Sequence, residues 1–472
     1  PYPPHSAVPF LLACVHARIL STLPRVNSEP ATAASSRSFW VAFGPGLLFA
    51  GAAVGVSHLV QSTRAGAMFG LSMLLVVVLA NVVKFPAFRF GPQYAAATGH
   101  SLLDGYRRQG RWTLVVFALL TLGTMFTITA VVTLVSAGVT TAWLGLDPLL
   151  ASTVGAANGP VVVSAVILAV GATLLSCGGY VWLDRFIKVV MPVLSICTVL
   201  AMITQWHNIN WSWDALIPSG AVFDLTGIAF CVALIGWMPS AIDISVWSSL
   251  WTLARADHSG TKPEPRNVLL DFDVGYLGAL LLALAFVLLG TGLMHGQGLT
   301  FENSASKFAA QVIDLYTTSL GGWARPVIGT AAFLVMLSTV VTVVDAFPRV
   351  LAALVVQMRL AFSPQSTAGD SFPPEGDRRV YRASFAVLCA GALAILIWGM
   401  SSFTALVDLA TTLSFLTAPV LSYFNHRAIH APEVPGHLQP GPAMTAWSWV
   451  AIMLQGAFAL YFLWLKLGPG AV

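Results

Sequence analysis

Residues 51–67 read GAAVGVSHLVQSTRAGA, and they set Ser57, His58, Gln61 and Arg64 within a run whose flanks are almost wholly apolar. Lipid accepts such groups only where they face a cavity, a partner or the interface. How this stretch is arranged decides how the rest of the chain is read.

The 472-residue chain is 57% hydrophobic and 9% charged, with a mean hydropathy of +0.80. A soluble domain carries roughly 25% charged residues, so this composition is that of an integral membrane protein whose surroundings are the lipid bilayer. Apolar runs of about 18–25 residues recur, each long enough to cross a hydrocarbon core of about 30 Å as a helix. They do not alternate as barrel strands do, and backbone left unpaired in lipid excludes other solutions. The expected architecture is therefore all-α and polytopic. Eleven spans are expected, near 41–69, 70–90, 112–142, 160–177, 183–204, 224–253, 269–294, 325–348, 383–400, 402–424 and 445–465.

Positive charge sorts the connections between these spans. Arg107, Arg108, Arg111, Arg185, Lys188, Arg255, Lys262, Arg266, Arg349, Arg359, Arg378, Arg379, Arg382 and Arg427 fall on one side, with Lys307 and Arg325 as the main exceptions. Cytoplasmic connections retain Lys and Arg, which predicts an inner-membrane protein with its N-terminus inside and its C-terminus outside. Residues 1–38 mix Pro, Ser and a short apolar run too short to span, and are expected to be a poorly ordered segment outside the bundle.

Several function classes are excluded at this level. The five cysteines are scattered without a CxxC pair, and the formal charge of +4 includes no basic tract with interleaved aromatics, so nucleic acid is not an expected partner. No nucleotide loop, HExxH or GxSxG is present, so neither an enzyme nor a cofactor is expected.

An odd span count suggests five spans, five inverted, and one extra: a first repeat over 39–204, an inverted second repeat over 224–424, and span eleven over 445–466. The first and sixth spans then hold equivalent positions, and both carry polar interruptions. The first contains GVSH at 55–58. The sixth contains GWMPS at 236–240, where Pro239 lacks an N–H and stops the helix. Gly55 and Gly236 are expected to supply the backbone freedom of an unwound segment. Paired interruptions in the two halves point to a transporter's binding site.

These residues also carry a resemblance. GPGLLFAGA at 44–52 with AGA at 65–67 resembles the first span of NRAMP divalent-metal transporters, and Met238-Pro239 resembles the Met-Pro of their sixth. The likeness covers roughly residues 39–466 and implies a LeuT-like fold, alternating access, a divalent metal cation as cargo and a site role for Met238. Where that family reads Asp-Pro-Gly-Asn, this chain has Gly55, Val56, Ser57 and His58; where the family has His after Met-Pro, it has Ser240. With the metal-binding carboxylate absent, His58 and Met238 are the candidate metal ligands, an imidazole and thioether pair that suits softer transition metals.

The candidate substrate-binding set is Gly55, Ser57, His58, Gln61, Trp237, Met238 and Ser240. Arg64, Asp243 and Asp408 join His58 as candidates for proton coupling or gating, since a buried carboxylate and an imidazole are the groups able to carry a proton. The same inventory also suits an anion or a small polar organic solute, because two helix N-termini, His58 and Arg64 face the same region. The expected function is proton-coupled secondary transport of a small ion or solute. A passive channel is the remaining alternative.

Overall fold

The computed structural model describes residues 45–176, 180–218, 220–259, 264–362, 377–399 and 402–467; the expectation for residues 1–38 lies outside them. Every regular element among the described residues is a helix. The chain begins with α1 (Pro45–Ala53), bends at Val54–Gly55, passes through a π-helical stretch at Ser57–Ser62 and resumes as α2 (Thr63–Phe69). Then come α3 (Ser72–Thr98), the short amphipathic α4 (Leu102–Gln109), α5 (Arg111–Leu144), α6 (Asp147–Thr153), α7 (Gly159–Ser176) and α8 (Tyr180–Thr204). A second interruption separates α9 (Leu225–Gly236) from α10 (Ile244–Ser259). The remaining helices are α11 (Pro265–Met294), α12 (Ala305–Leu320), α13 (Ala324–Phe362), α14 (Arg378–Trp398), α15 (Phe403–Ile429) and α16 (Pro442–Leu467).

Eight of these are long and apolar enough to cross a membrane individually: α3, α5, α7, α11, α13, α14, α15 and α16. Their burial orders them from centre to periphery. In their most apolar windows, 78% of α13 and 72% of α11 is buried within the protein, against 17% of α14 and 22% of α16. The first two therefore lie at the centre, where α11 carries the first interrupted helix while α3 and α15 carry the second, and the last two keep most of their apolar surface for lipid.

Helix limits differ from the sequence expectation where prolines and amphipathic segments are concerned. α13 continues through Pro348 to Phe362, and α3 through Pro86 and Pro92 to Thr98. A proline inside a membrane helix is tolerated where neighbours satisfy the freed carbonyl; α3 finally ends at Gly99, whose left-handed φ of 74° closes the last turn. α12 lies in what the sequence presents as a plain connection. Its Phe308, Val312, Ile313 and Tyr316 are buried while the opposite face carries Lys307 and Asp314, a composition too polar for a span but suited to a helix packed across α5 and α13.

Small residues set the closest crossings. A Cβ on Gly66 of α2 would collide with the backbone carbonyl of Val287 on α11, and a Cβ on Gly290 would meet the carbonyl of Thr63. Without a hydrophobic drive between helices in lipid, such backbone approaches supply the van der Waals contact that joins them. Gly55 and Gly236 belong to this class too, which corrects the expectation: neither has a positive φ. Gly55 makes room for Thr339 of α13, and Gly236 for the carbonyl of Thr411 on α15.

Gly66→Ala and Gly290→Ala should each cost about 1–3 kcal/mol of stability through overpacking, read as a fall of several degrees in the detergent-solubilised melting temperature. Gly456→Ala on α16, where the added methyl meets nothing within 4 Å, should leave it unchanged.

Candidate functional site

The site is assembled where the two interrupted helices approach each other. Ending α1 at Ala53 leaves its last carbonyls without helical partners, and Ser57 answers one of them: its Oγ donates to the Ala53 carbonyl at 2.6 Å. The same hydroxyl lies 2.8 Å from His58 Nδ1, and His58 Nε2 is 2.9 Å from the Ala279 carbonyl of α11, to which it donates. His58 is fully buried, edge-on to Phe286. Both of its ring nitrogens are thus engaged, and the ring faces α11.

Across from it, α9 stops at Gly236 and the chain runs non-helically to α10, with Met238–Pro239 in the cis form. The carbonyls exposed by this stop are met by a side chain from α3. Lys84, 1% exposed, donates from Nζ to the carbonyls of Ile235 (2.8 Å), Gly236 (3.0 Å), Met238 (3.2 Å) and Ser240 (2.7 Å). Met238 itself packs with Ala65, Val77, Leu234 and Ala283 in an apolar cluster. Trp237 turns its indole N–H to Ser414 Oγ of α15 at 2.8 Å.

Between the breaks lies a cavity of ≈ 40 Å³, space for a few water molecules. Ala53, Val56 and Ser57 line it from the first break, and Trp237, Ser240, Asp243 and Trp247 from the second. Ile128, Val132, Thr339 and Val343 of α5 and α13 complete the wall. Most of this surface is apolar. Asp243 is the charged residue on it: it is 7% exposed, and its Oδ2 has no hydrogen-bond partner among the described residues. A buried carboxylate oxygen in that condition is costly, so it marks where a donor is expected to bind.

A second polar cluster joins α2 to α15. Arg64 Nη1 donates to Asp408 Oδ1 at 2.8 Å and Nη2 to Oδ2 at 3.2 Å, a bidentate pair. Nη1 also donates to Gln61 Oε1 at 2.8 Å, and Gln61 Nε2 reaches Asp408 Oδ1 at 3.3 Å. Phe230 of α9 lies under the guanidinium, 5.1 Å away. Arg64 is buried and the Asp408 side chain is 35% exposed, so the cluster sits where protein meets a more open region.

Of the candidates drawn from sequence, Ser57, Trp237, Ser240 and Asp243 line the cavity. Gln61, Arg64 and Asp408 form the second cluster, His58 serves the α1–α11 contact, Met238 is packed among apolar side chains, and Gly55 lies against Thr339. Among the described residues, no group of three His, Cys, Asp or Glu side chains is placed to hold a metal ion. Lys84 was missed from sequence although it carried a signal, since an ionisable side chain in the middle of LLVVVLANVVKFPAF is a functional candidate in its own right.

Solved structures share this fold. The manganese transporter of Eremococcus coleocola superimposes with a TM-score of 0.66 at 12% identity, over 95% of this chain and 92% of that one. MhsT in complex with L-phenylalanine gives 0.60 at 12% identity over 92% and 99%. Mhp1, a nucleobase-cation-symport-1 family transporter, gives 0.51 at 14% identity over 89% and 93%. The fold is thus of the LeuT type. No family model matches the sequence. The uncharacterized protein PM0681 of Pasteurella multocida (strain Pm70) is 33% identical over 428 residues, which is 90% of this chain and 92% of that protein. The chain is therefore an integral membrane protein of the LeuT-type fold that belongs to the same family as this Pasteurella multocida protein.

Proposed function

We propose that the protein is a secondary-active, alternating-access transporter that moves a small polar solute bearing a hydrogen-bond donor, with a proton as the coupling ion. The observation that carries the reading is Asp243, a buried carboxylate on the wall of a cavity bounded by both interrupted helices, whose Oδ2 has no hydrogen-bond partner among the described residues. A channel has no need of two facing discontinuous helices, whereas a site that opens alternately to two sides is built from them. In this reading the eleven crossings form five plus five inverted plus one, with the N-terminus inside and the C-terminus outside. The cavity holds a few water molecules as it stands, so an organic solute enters only after the helices part.

The ligand chemistry favours a donor-bearing solute over a divalent metal. Hard cations want several oxygens and charge, and softer ones want free imidazole or thiolate. Here the His58 nitrogens are engaged and a single carboxylate faces the cavity. The same lone carboxylate repels an anion. Within the set, Asp243 anchors the solute; Ser57 and Ser240 offer hydroxyls beside it; Trp237 and Trp247 supply apolar wall; and Asp243 or His58 carries the proton. Arg64, Asp408 and Gln61 close the site on the outer side by tying α2 to α15.

Two measurements test this. Thermal stabilisation of the purified protein by Mn²⁺, inorganic anions, amino acids and primary amines identifies the strongest ligand, which is then radiolabelled for uptake into proteoliposomes. An inward proton gradient should drive accumulation, and Asp243→Asn should weaken binding roughly 10–100-fold, the worth of a charge-assisted hydrogen bond of about 1.5–3 kcal/mol. Stabilisation by Mn²⁺ alone, or flux that never rises above equilibrium, overturns the reading.

The gating role predicts a different signature. In a cysteine-depleted background carrying Ser240→Cys, Asp408→Ala should raise the rate of labelling by a membrane-impermeant thiol reagent from outside several-fold. An unchanged rate would reduce the Arg64–Asp408 pair to an anchor.

A further inference from the structure

Lys84 is the one feature of the centre that the transport reading above does not use. An ammonium buried in a membrane helix pays a desolvation cost that only close, well-placed acceptors offset. Its acceptors are four backbone carbonyls, Ile235, Gly236, Met238 and Ser240, all between 2.7 and 3.2 Å from Nζ. Three N–H groups serve these four oxygens, so one contact is shared. Two of the oxygens belong to the last turn of α9, where carbonyls lack helical partners and the helix dipole is negative. Neutral carbonyls converging on a point charge at a broken helix form the kind of cage that coordinates an alkali ion in transporters. Among the described residues no carboxylate accepts from Nζ. The Phe88 ring, 5.6 Å from Nζ, adds a second cation-binding surface.

We propose that Lys84 Nζ is a tethered cation occupying the carbonyl cage at the α9–α10 break, so that this cage takes no exchangeable metal or alkali ion. The cage's occupant is supplied by the chain itself. Ile235, the carbonyl that an ion bound between the two breaks would use, is held by a side chain from α3. Asp243, three residues beyond Ser240, is not among the acceptors of Nζ and stays on the cavity wall. This deepens the transporter reading by removing inorganic cations from the second break, yet its test measures ion-dependent stability and not transport, so each can fail while the other stands.

The experiment uses the full-length protein in detergent, with melting temperatures recorded in the chloride salts of sodium, potassium, methylammonium and N-methylglucamine at equal ionic strength, and separately with MnCl₂. The wild type should give the same value in all five. Lys84→Ala should melt several degrees lower in N-methylglucamine and recover most of that loss in methylammonium or sodium, because the vacated cage accepts a small cation. Lys84→Arg, which keeps a charge on the side chain, should stay insensitive to the salt. If Lys84→Ala is not recovered folded, the comparison is made with Lys84→Gln, whose amide donates to only part of the cage and should show a smaller version of the same rescue. A specific rise with sodium, potassium or manganese in the wild type that Lys84→Arg abolishes would show an exchangeable ion in the cage. A destabilised Lys84→Ala or Lys84→Gln that no small cation restores would show that the carbonyls never formed a cation site. Either result overturns the proposal.

Discussion

A helix interrupted inside a hydrocarbon slab leaves backbone groups that water cannot reach, each costing several kcal/mol if unmet. The centre of this protein is organised by how those groups are satisfied. At the first break the answer is local: Ser57 turns back on the Ala53 carbonyl, and the chain recovers helical bonding within a few residues by widening into a π-helical stretch. At the second it is remote, because the non-helical run from Trp237 to Asp243 is too long for its own side chains to repair. A lysine from α3 takes four carbonyls at once. The two breaks thus differ in kind. The first is a bend that stays close to a helix, while the second is open backbone pinned by an external charge.

That difference explains what sequence reading could reach. Polar residues at 55–58 and 236–240 mark interruptions, since an apolar span has no other use for them, and both interruptions are present. Their internal geometry is not encoded locally. Gly55 and Gly236 look like hinges in sequence, yet each is small because another helix passes at van der Waals contact, a fact that resides in Thr339 and Thr411 some hundreds of positions away. His58 reads as a ligand because imidazole is rare in lipid. What claims its second nitrogen is a backbone carbonyl on α11, which no side-chain pattern reveals.

Charged residues show the same limit from another side. Arg64 and Asp408 each stand out in sequence as intramembrane charges, but their pairing depends on where α2 and α15 cross. Lys84 was the more legible omission. The polar residues within the breaks mark where the breaks lie, whereas the group that completes the second break comes from a helix with no break at all. Charge inside a membrane needs a partner wherever it occurs, and for Lys84 that partner is a set of unpaired acceptors, which in an all-helical membrane protein occur at helix ends and beside prolines.

The two broken helices are tied to one rail. Asp408, Thr411 and Ser414 recur every three residues on α15, so they lie along one face. Asp408 holds Arg64 of α2; Thr411 receives Gln61 Nε2 at 3.5 Å and presents its carbonyl to Gly236; Ser414 accepts the Trp237 indole N–H. A shift of α15 that separated Asp408 from Arg64 would also act on the last residue of α9 and on the wall of the cavity. Because packed interfaces tend to have discrete arrangements and do not deform continuously, these contacts give the Arg64–Asp408 pair and the second break a common mechanical element. Lys84 also resists that motion, since moving the α9 terminus away from α3 would strip a buried ammonium of its acceptors. α15 is itself tied to α3 and α10, since Asn425 Nδ2 donates to the Ala87 carbonyl at 2.9 Å and to Ser245 Oγ at 2.8 Å, so α3, α15 and the second break form one connected unit.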